Sequence, residues 1–119
     1  MINISNHPSS KWTEKQRSAV KTVEESEKVE IIDIPFPNVP PNASAQEVRK
    51  MAHKLYSDVC GMGHDFVHIM GETSLVYEFF KLWSGKGAGV VSTSERRSVE
   101  NDDGSKTIIF DFCQFRRIF

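Results

Sequence analysis

A three-layer α/β sandwich built on a mainly parallel sheet follows from three observations. Short β-branched, apolar runs (Ile2 to Ile4, Val29 to Ile34, Phe66 to Met70, Gly89 to Val91) alternate with segments of helical periodicity. Polar loops with helix-start signals follow each of the first three runs. Asn101-Asp102-Asp103-Gly104 is a strong hairpin turn that returns the chain as a last, antiparallel strand. The order β-α-β-α-β-α-β plus a hairpin implies parallel strands, right-handed crossovers and helices on both faces. The expected architecture is a Rossmann-like or flavodoxin-like sandwich, one domain over residues 1–119, with a C-terminal antiparallel hairpin.

Each element has a local reason. The first strand stops at the polar loop Ser5-Asn6-His7-Pro8-Ser9-Ser10, where Pro8 keeps His7 out of helical backbone. Thr13 and Gln16 form a capping box for a helix to about Val23, with Ala19, Val20 and Val23 as its apolar stripe. The second strand, Val29 to Ile34, ends in the proline-rich stretch Pro35 to Pro41. Ser44 and Glu47 form a second capping box, and Val48, Met51, Ala52, Leu55, Tyr56 and Val59 give one helical face. The third strand turns at Gly71-Glu72-Thr73 straight into a helix carrying Leu75, Val76, Phe79, Phe80 and Trp83, with Thr73 or Ser74 as the expected N-cap. The fourth strand ends or kinks within Ser92 to Arg97, and the returning strand runs from Lys106 to about Ile118 at a sheet edge.

Composition narrows the function. A length of 119 residues supports a real core. A formal charge of −1 argues against a protein that coats duplex nucleic acid. Cys60 and Cys113 form no CxxC and are expected to be reduced, buried thiols, which with the absence of a signal-peptide pattern or membrane-length apolar run points to the cytoplasm. No pair of His or Cys has metal-ligand spacing, and GxGxxG, GxxxxGK[ST] and GxSxG are all missing, so no metal or cofactor is expected.

The polar residues fall unevenly. Loops after parallel strands share one sheet edge, and here that edge receives Ser5, Asn6, His7, Ser9 and Ser10, then Asn38, then Gly71, Glu72, Thr73 and Ser74, then Ser92, Thr93, Ser94 and Arg96. Ligands of open α/β sheets bind at that edge, at the switch in strand order. The switch flanks the first strand and either the third or the fourth, and in both orders His7, Thr73 and Arg96 are candidates to converge. Hydroxyls, helix N-termini and an arginine suit a phosphodiester or sugar ligand. His7 would move a proton, and Thr73 and Arg96 would orient and stabilise a metal-independent attack by a ribose 2′-hydroxyl. Arg96 and Arg97 are successive, so one faces the crevice and the other solvent. Plainer roles stand beside these: an Asx turn at Asn6, a helix-dipole acid at Glu72, and a satisfied core position for the mid-strand His68.

The stretches Ser5-Asn6-His7-Pro8-Ser9-Ser10-Lys11-Trp12, Ile32 to Pro37, Met70-Gly71-Glu72-Thr73 and Ser92 to Arg96 resemble the small single-domain CRISPR-associated proteins with a Rossmann-like core, relatives of the CARF sensor domain. The resemblance implies a cytoplasmic homodimer that binds a cyclic oligoadenylate second messenger of type III CRISPR defence across its two-fold axis. Some such proteins are ring nucleases that cut the messenger and others only bind it. The family's ligand loops match Ser5 to Ser10 and Gly71 to Ser74, which lack the basic pair of some relatives and so leave cleavage open. Two other readings compete: a small nucleotide or phosphosugar hydrolase using His7 and Glu72, and an interaction module pairing through its C-terminal strand.

Overall fold

The computed structural model describes all residues, 1–119, and its elements are short except at the C-terminus. In chain order they are β1 (Ile2–Ser5), α1 (Glu14–Glu24), β2 (Ile32–Pro35), α2 (Ala45–Val59), β3 (Phe66–Ile69), α3 (Thr73–Trp83), β4 (Ala88–Glu100) and β5 (Lys106–Arg117), with a 3-10 turn at Ser9–Lys11. The sheet runs β2-β1-β3-β4-β5; the first four strands are parallel and β5 is antiparallel to β4. This is the expected α/β sandwich, and the order puts the switch point between β1 and β3.

Local chemistry accounts for the boundaries. Thr13 caps α1 through the expected reciprocal box with Gln16. Ser44 accepts from the Glu47 N–H to start α2. The α3 cap is neither Thr73 nor Ser74 but Glu72, whose carboxylate accepts from the Ser74 and Leu75 N–H groups. Strand β2 is shorter than expected because β1 offers it only four partners, Ile2↔Ile32 through Ser5↔Pro35. Pro35 has no N–H to donate, and it is tolerated because β2 is an edge. Strand β4 does not end at Ser92 to Arg97; it continues to Glu100 because β5 pairs with it throughout, and the expected kink is a bulge at Thr93/Ser94. Gly104 takes the left-handed φ of 84° in the hairpin turn.

Alternation along the strands divides the core in two. Ile2, Ile4, Val67 and Ile69 face α2 and α3, where Val48, Leu55, Leu75, Phe79 and Trp83 complete the larger cluster. Met1, Val90 and Phe115 face α1 and pack with Trp12 and Val20. One face of the sheet thus carries two helices and the other only one. The outer halves of β4 and β5 are covered by neither: residues 94–100 and 105–108 are exposed. The radius of gyration, 16.0 Å, exceeds the roughly 13.5 Å expected of a compact chain of this length, because the hairpin projects from the body.

Candidate functional site at the switch point

The face with a single helix leaves a crevice of about 990 Å³ at the carboxyl ends of β1 and β3, bounded by the start of α1 and by the hairpin. Strand register sets its floor. Asp33 of β2, Asn3 of β1 and His68 of β3 are direct neighbours across three parallel strands. On the same edge Ser5 and Ser92 follow, one step toward the carboxyl ends.

These residues form one hydrogen-bonded network. Asn3 Nδ2 donates to Asp33 Oδ1 at 2.9 Å and to the His7 carbonyl at 3.0 Å. Both partners are pure acceptors, which fixes the amide's orientation. Asn3 Oδ1 therefore accepts, from the Ser5 hydroxyl at 3.0 Å and from His68 Nδ1 at 2.8 Å. The His7 carbonyl is a hub that also receives Trp12 Nε1 at 3.0 Å, tying the loop after β1 to the start of α1. Ser9 clamps the far end, its N–H and hydroxyl donating to the two oxygens of Asp33 at 2.9 and 2.7 Å. Partial burial pushes the Asp33 pKa up, but the hydrogen bonds from Asn3 and Ser9 outweigh it and hold the carboxyl below its ordinary value.

His68 is the exception in this network. It is 4% exposed, its ring meets the edges of Trp12 and Phe115, and its Nε2 has no partner. Burial, with a smaller contribution from nearby His7, lowers its pKa to about 4. The ring is neutral at physiological pH. With Nδ1 protonated toward Asn3, Nε2 carries the lone pair.

Aromatic rings form the walls. Phe115 packs against both Trp12 and Phe112 in a cluster over the floor, and Phe110 extends it along the hairpin with 68% of its surface exposed. Charges at the rim are few: Lys15 from α1, and Glu95 and Asp111 from the hairpin, with Asp111 held by Arg97 Nε at 2.6 Å. No three His, Cys, Asp or Glu side chains come together as a group that could hold a metal ion. A shallower groove of about 300 Å³ lies on the other side of a saddle made by Asn6 and Gly71, against Phe36, Asn38 and Glu72.

Of the residues expected from sequence to carry chemistry, His7 lines the crevice, while Thr73 and Arg96 do not. Thr73 is exposed at the first turn of α3, and Arg96 sits opposite Phe110 on the hairpin, one alternating position beyond Ser94. The three do not converge. Ser5, Asn6, Gly71, Ser92 and Ser94 line the crevice; Asn6, Asn38, Gly71 and Glu72 line the groove. Ser9 supports Asp33, and Ser74 donates its hydroxyl to Glu72. Ser10 and Thr93 line neither, Thr93 instead donating to the Gln114 carbonyl. Arg97 is taken up by its ion pair with Asp111. The cysteines are not buried as expected: Cys60 is half-buried and Cys113 is exposed at the crevice.

The residues that sequence reasoning missed are Asn3, Asp33 and His68 as a row, and Trp12, Phe112 and Phe115 as walls. A signal for the row existed. Parallel strands covered on both faces should read as continuous apolar runs. Here each of the first three strands places one polar residue between apolar ones: Ile2-Asn3-Ile4, Ile32-Asp33-Ile34 and Val67-His68-Ile69.

A family model, described as the uncharacterized protein MJ1673 family, matches residues 1–116, and the chain belongs to that family. No curated protein and no solved structure matches it. No helix is long and apolar enough to cross a membrane.

Proposed function

We propose that this member of the MJ1673 family is a nucleotide-binding domain whose crevice takes a cyclic oligoadenylate, a homodimer of the chain enclosing one ring. The observation that carries the reading is the crevice itself. It lies at the carboxyl ends of the strands flanking the switch point, and Trp12, Phe110, Phe112 and Phe115 give it aromatic walls. Aromatic side chains are stacking surfaces for bases. Ser92 and Ser94 add hydroxyls to its lining, groups that hydrogen-bond a sugar-phosphate backbone. The resemblance of the loops after β1 and β3 to those of CARF-related proteins of type III CRISPR systems names the ring, and that setting is cytoplasmic.

The geometry favours binding over cleavage. A metal-independent ring nuclease needs a group to align the 2′-hydroxyl and a cation at the phosphorus. Thr73 and Arg96 stand outside the crevice, and Lys15 is the one lysine or arginine that lines it. His7 remains at the loop for proton transfer, with no arginine beside it in the lining.

The test is a melting-temperature screen of the purified protein against mononucleotides, linear oligoadenylates and cyclic oligoadenylates, with chromatography of each mixture for products. A ligand at about a hundred times its Kd adds about 2.7 kcal/mol of stability, a readily measured shift. A shift with one cyclic species and intact ligand afterwards is the expected result. No shift with any adenylate overturns the reading. A second reading, a protein-interaction module, draws on Ile108 and Phe110, exposed at 48% and 68% on the projecting hairpin. A stoichiometric protein partner on purification, with no nucleotide effect on melting, would select it.

A further inference from the structure

Resting on the proposed adenylate ligand, we infer that His68 Nε2 is the group that reads the base, accepting a hydrogen bond from the exocyclic 6-amino group of adenine. Asp33 and the His7 carbonyl orient the Asn3 amide, and Asn3 Oδ1 in turn takes the proton of His68 Nδ1 at 2.8 Å. Three groups on two strands and a loop thus fix one tautomer. The remaining nitrogen can only accept.

That acceptor is unanswered by any protein group and closed off from solvent beside Trp12 and Phe115, on a residue that lines the crevice, so a donor reaches it as those rings part. Buried polar atoms in native structures are paired in the great majority, and an exception calls for a reason. The bond to Asn3 accounts for Nδ1 and ties β3 to β1, but it leaves Nε2 an orphan atom between Trp12 and Phe115. A ligand that brings an N–H donor supplies the missing partner. Burial keeps the ring neutral, so it does not compete by becoming a donor. Adenine suits it because the amine is a donor attached to a flat ring that the neighbouring aromatic walls can stack against.

The consequence is a preference for amino-bearing over amine-free purines. The experiment compares, on the wild-type protein by calorimetry, the cyclic oligoadenylate and the same ring made with purine riboside, which lacks the 6-amino group and has no donor on the base. Losing a hydrogen bond to a buried acceptor weakens binding about ten- to a hundredfold, and that is the expected gap. His68→Phe is measured beside it; the gap should vanish while the protein still melts cooperatively. Equal wild-type affinity for the two rings overturns the inference and leaves the ligand class standing. Absence of binding by either ring overturns both. The wild-type comparison needs no variant to fold.

Discussion

Asn3 Oδ1 and His68 Nδ1 lie 2.8 Å apart across adjacent parallel strands, and this one bond decides which nitrogen of the histidine is free. Asn3 also serves Asp33 and the His7 carbonyl, so its amide joins two strands and the loop after β1. Asn3→Leu is expected to lower stability by about 3 kcal/mol, because it strands the buried Nδ1–H of His68 and removes donors from two further acceptors. Urea unfolding measures it. A loss under 1 kcal/mol would mean that the network holds nothing in place.

His68 makes the fold acid-sensitive. Its folded pKa is about 4 against an ordinary value of 6.5. Between those values the unfolded chain binds a proton that the native chain does not, so stability rises with pH across that window. Stability is full above pH 6.5 and falls as pH drops toward 4, by about 3 kcal/mol for a shift of this size. Asp33 acts in the same direction: its carboxyl, held below its ordinary value, loses its contribution as pH falls further. Urea midpoints taken at pH 7, 5.5 and 4.5 should decline steadily in the wild type and less steeply in His68→Phe. Parallel declines in the two proteins would show that His68 is not the group responsible.

The same residue shows why the architecture was readable and the site was not. Helix caps at Thr13 and Ser44, the hairpin turn at Asn101 to Gly104 and the alternation of strand and helix are local signals, and the fold obeyed them. The polar edge was visible as well, and Ser5, Asn6, His7, Gly71, Ser92 and Ser94 do share the crevice. The row Asp33–Asn3–His68 depends on register between strands that are 30 and 65 residues apart in sequence from Asn3, which no local pattern specifies. Likewise, Arg96 lay in the right segment, but the length to which β5 extends the pairing carries it outward along the hairpin. Thr73 lost the cap position to Glu72, whose longer side chain reaches two N–H groups at once.

Gly71 is required by packing. A Cβ at this position would overlap the ring of Phe36, which is buried in the larger core cluster. Gly71→Ala must therefore displace Phe36 or the turn before α3, and overpacking of this kind costs about 1–3 kcal/mol. Gly71 also forms the saddle between crevice and groove, so the substitution should weaken adenylate binding as well as stability. A melting scan and a titration on the same sample read both. An unchanged melting temperature would show that the ring of Phe36 has room to turn aside.

Ile108 and Phe110 alternate on one face of β5, are 48% and 68% exposed, and continue the aromatic wall of the crevice outward with nothing of the same chain over them. A ring with two-fold symmetry is matched by a symmetric pair of chains, in which each copy presents the same patch to the other. The hairpin face borders the site that the ring would fill, which makes it the contact the proposed dimer would use. Sedimentation velocity should therefore find a dimer at micromolar concentration. Ile108→Glu lies outside the crevice lining and puts a carboxylate on that face, which should return the protein to monomer, leave its melting within a few degrees of wild type, and weaken ring binding about tenfold or more, while binding of a single AMP is unaffected. A wild-type monomer that still binds the ring would place the whole site within one chain.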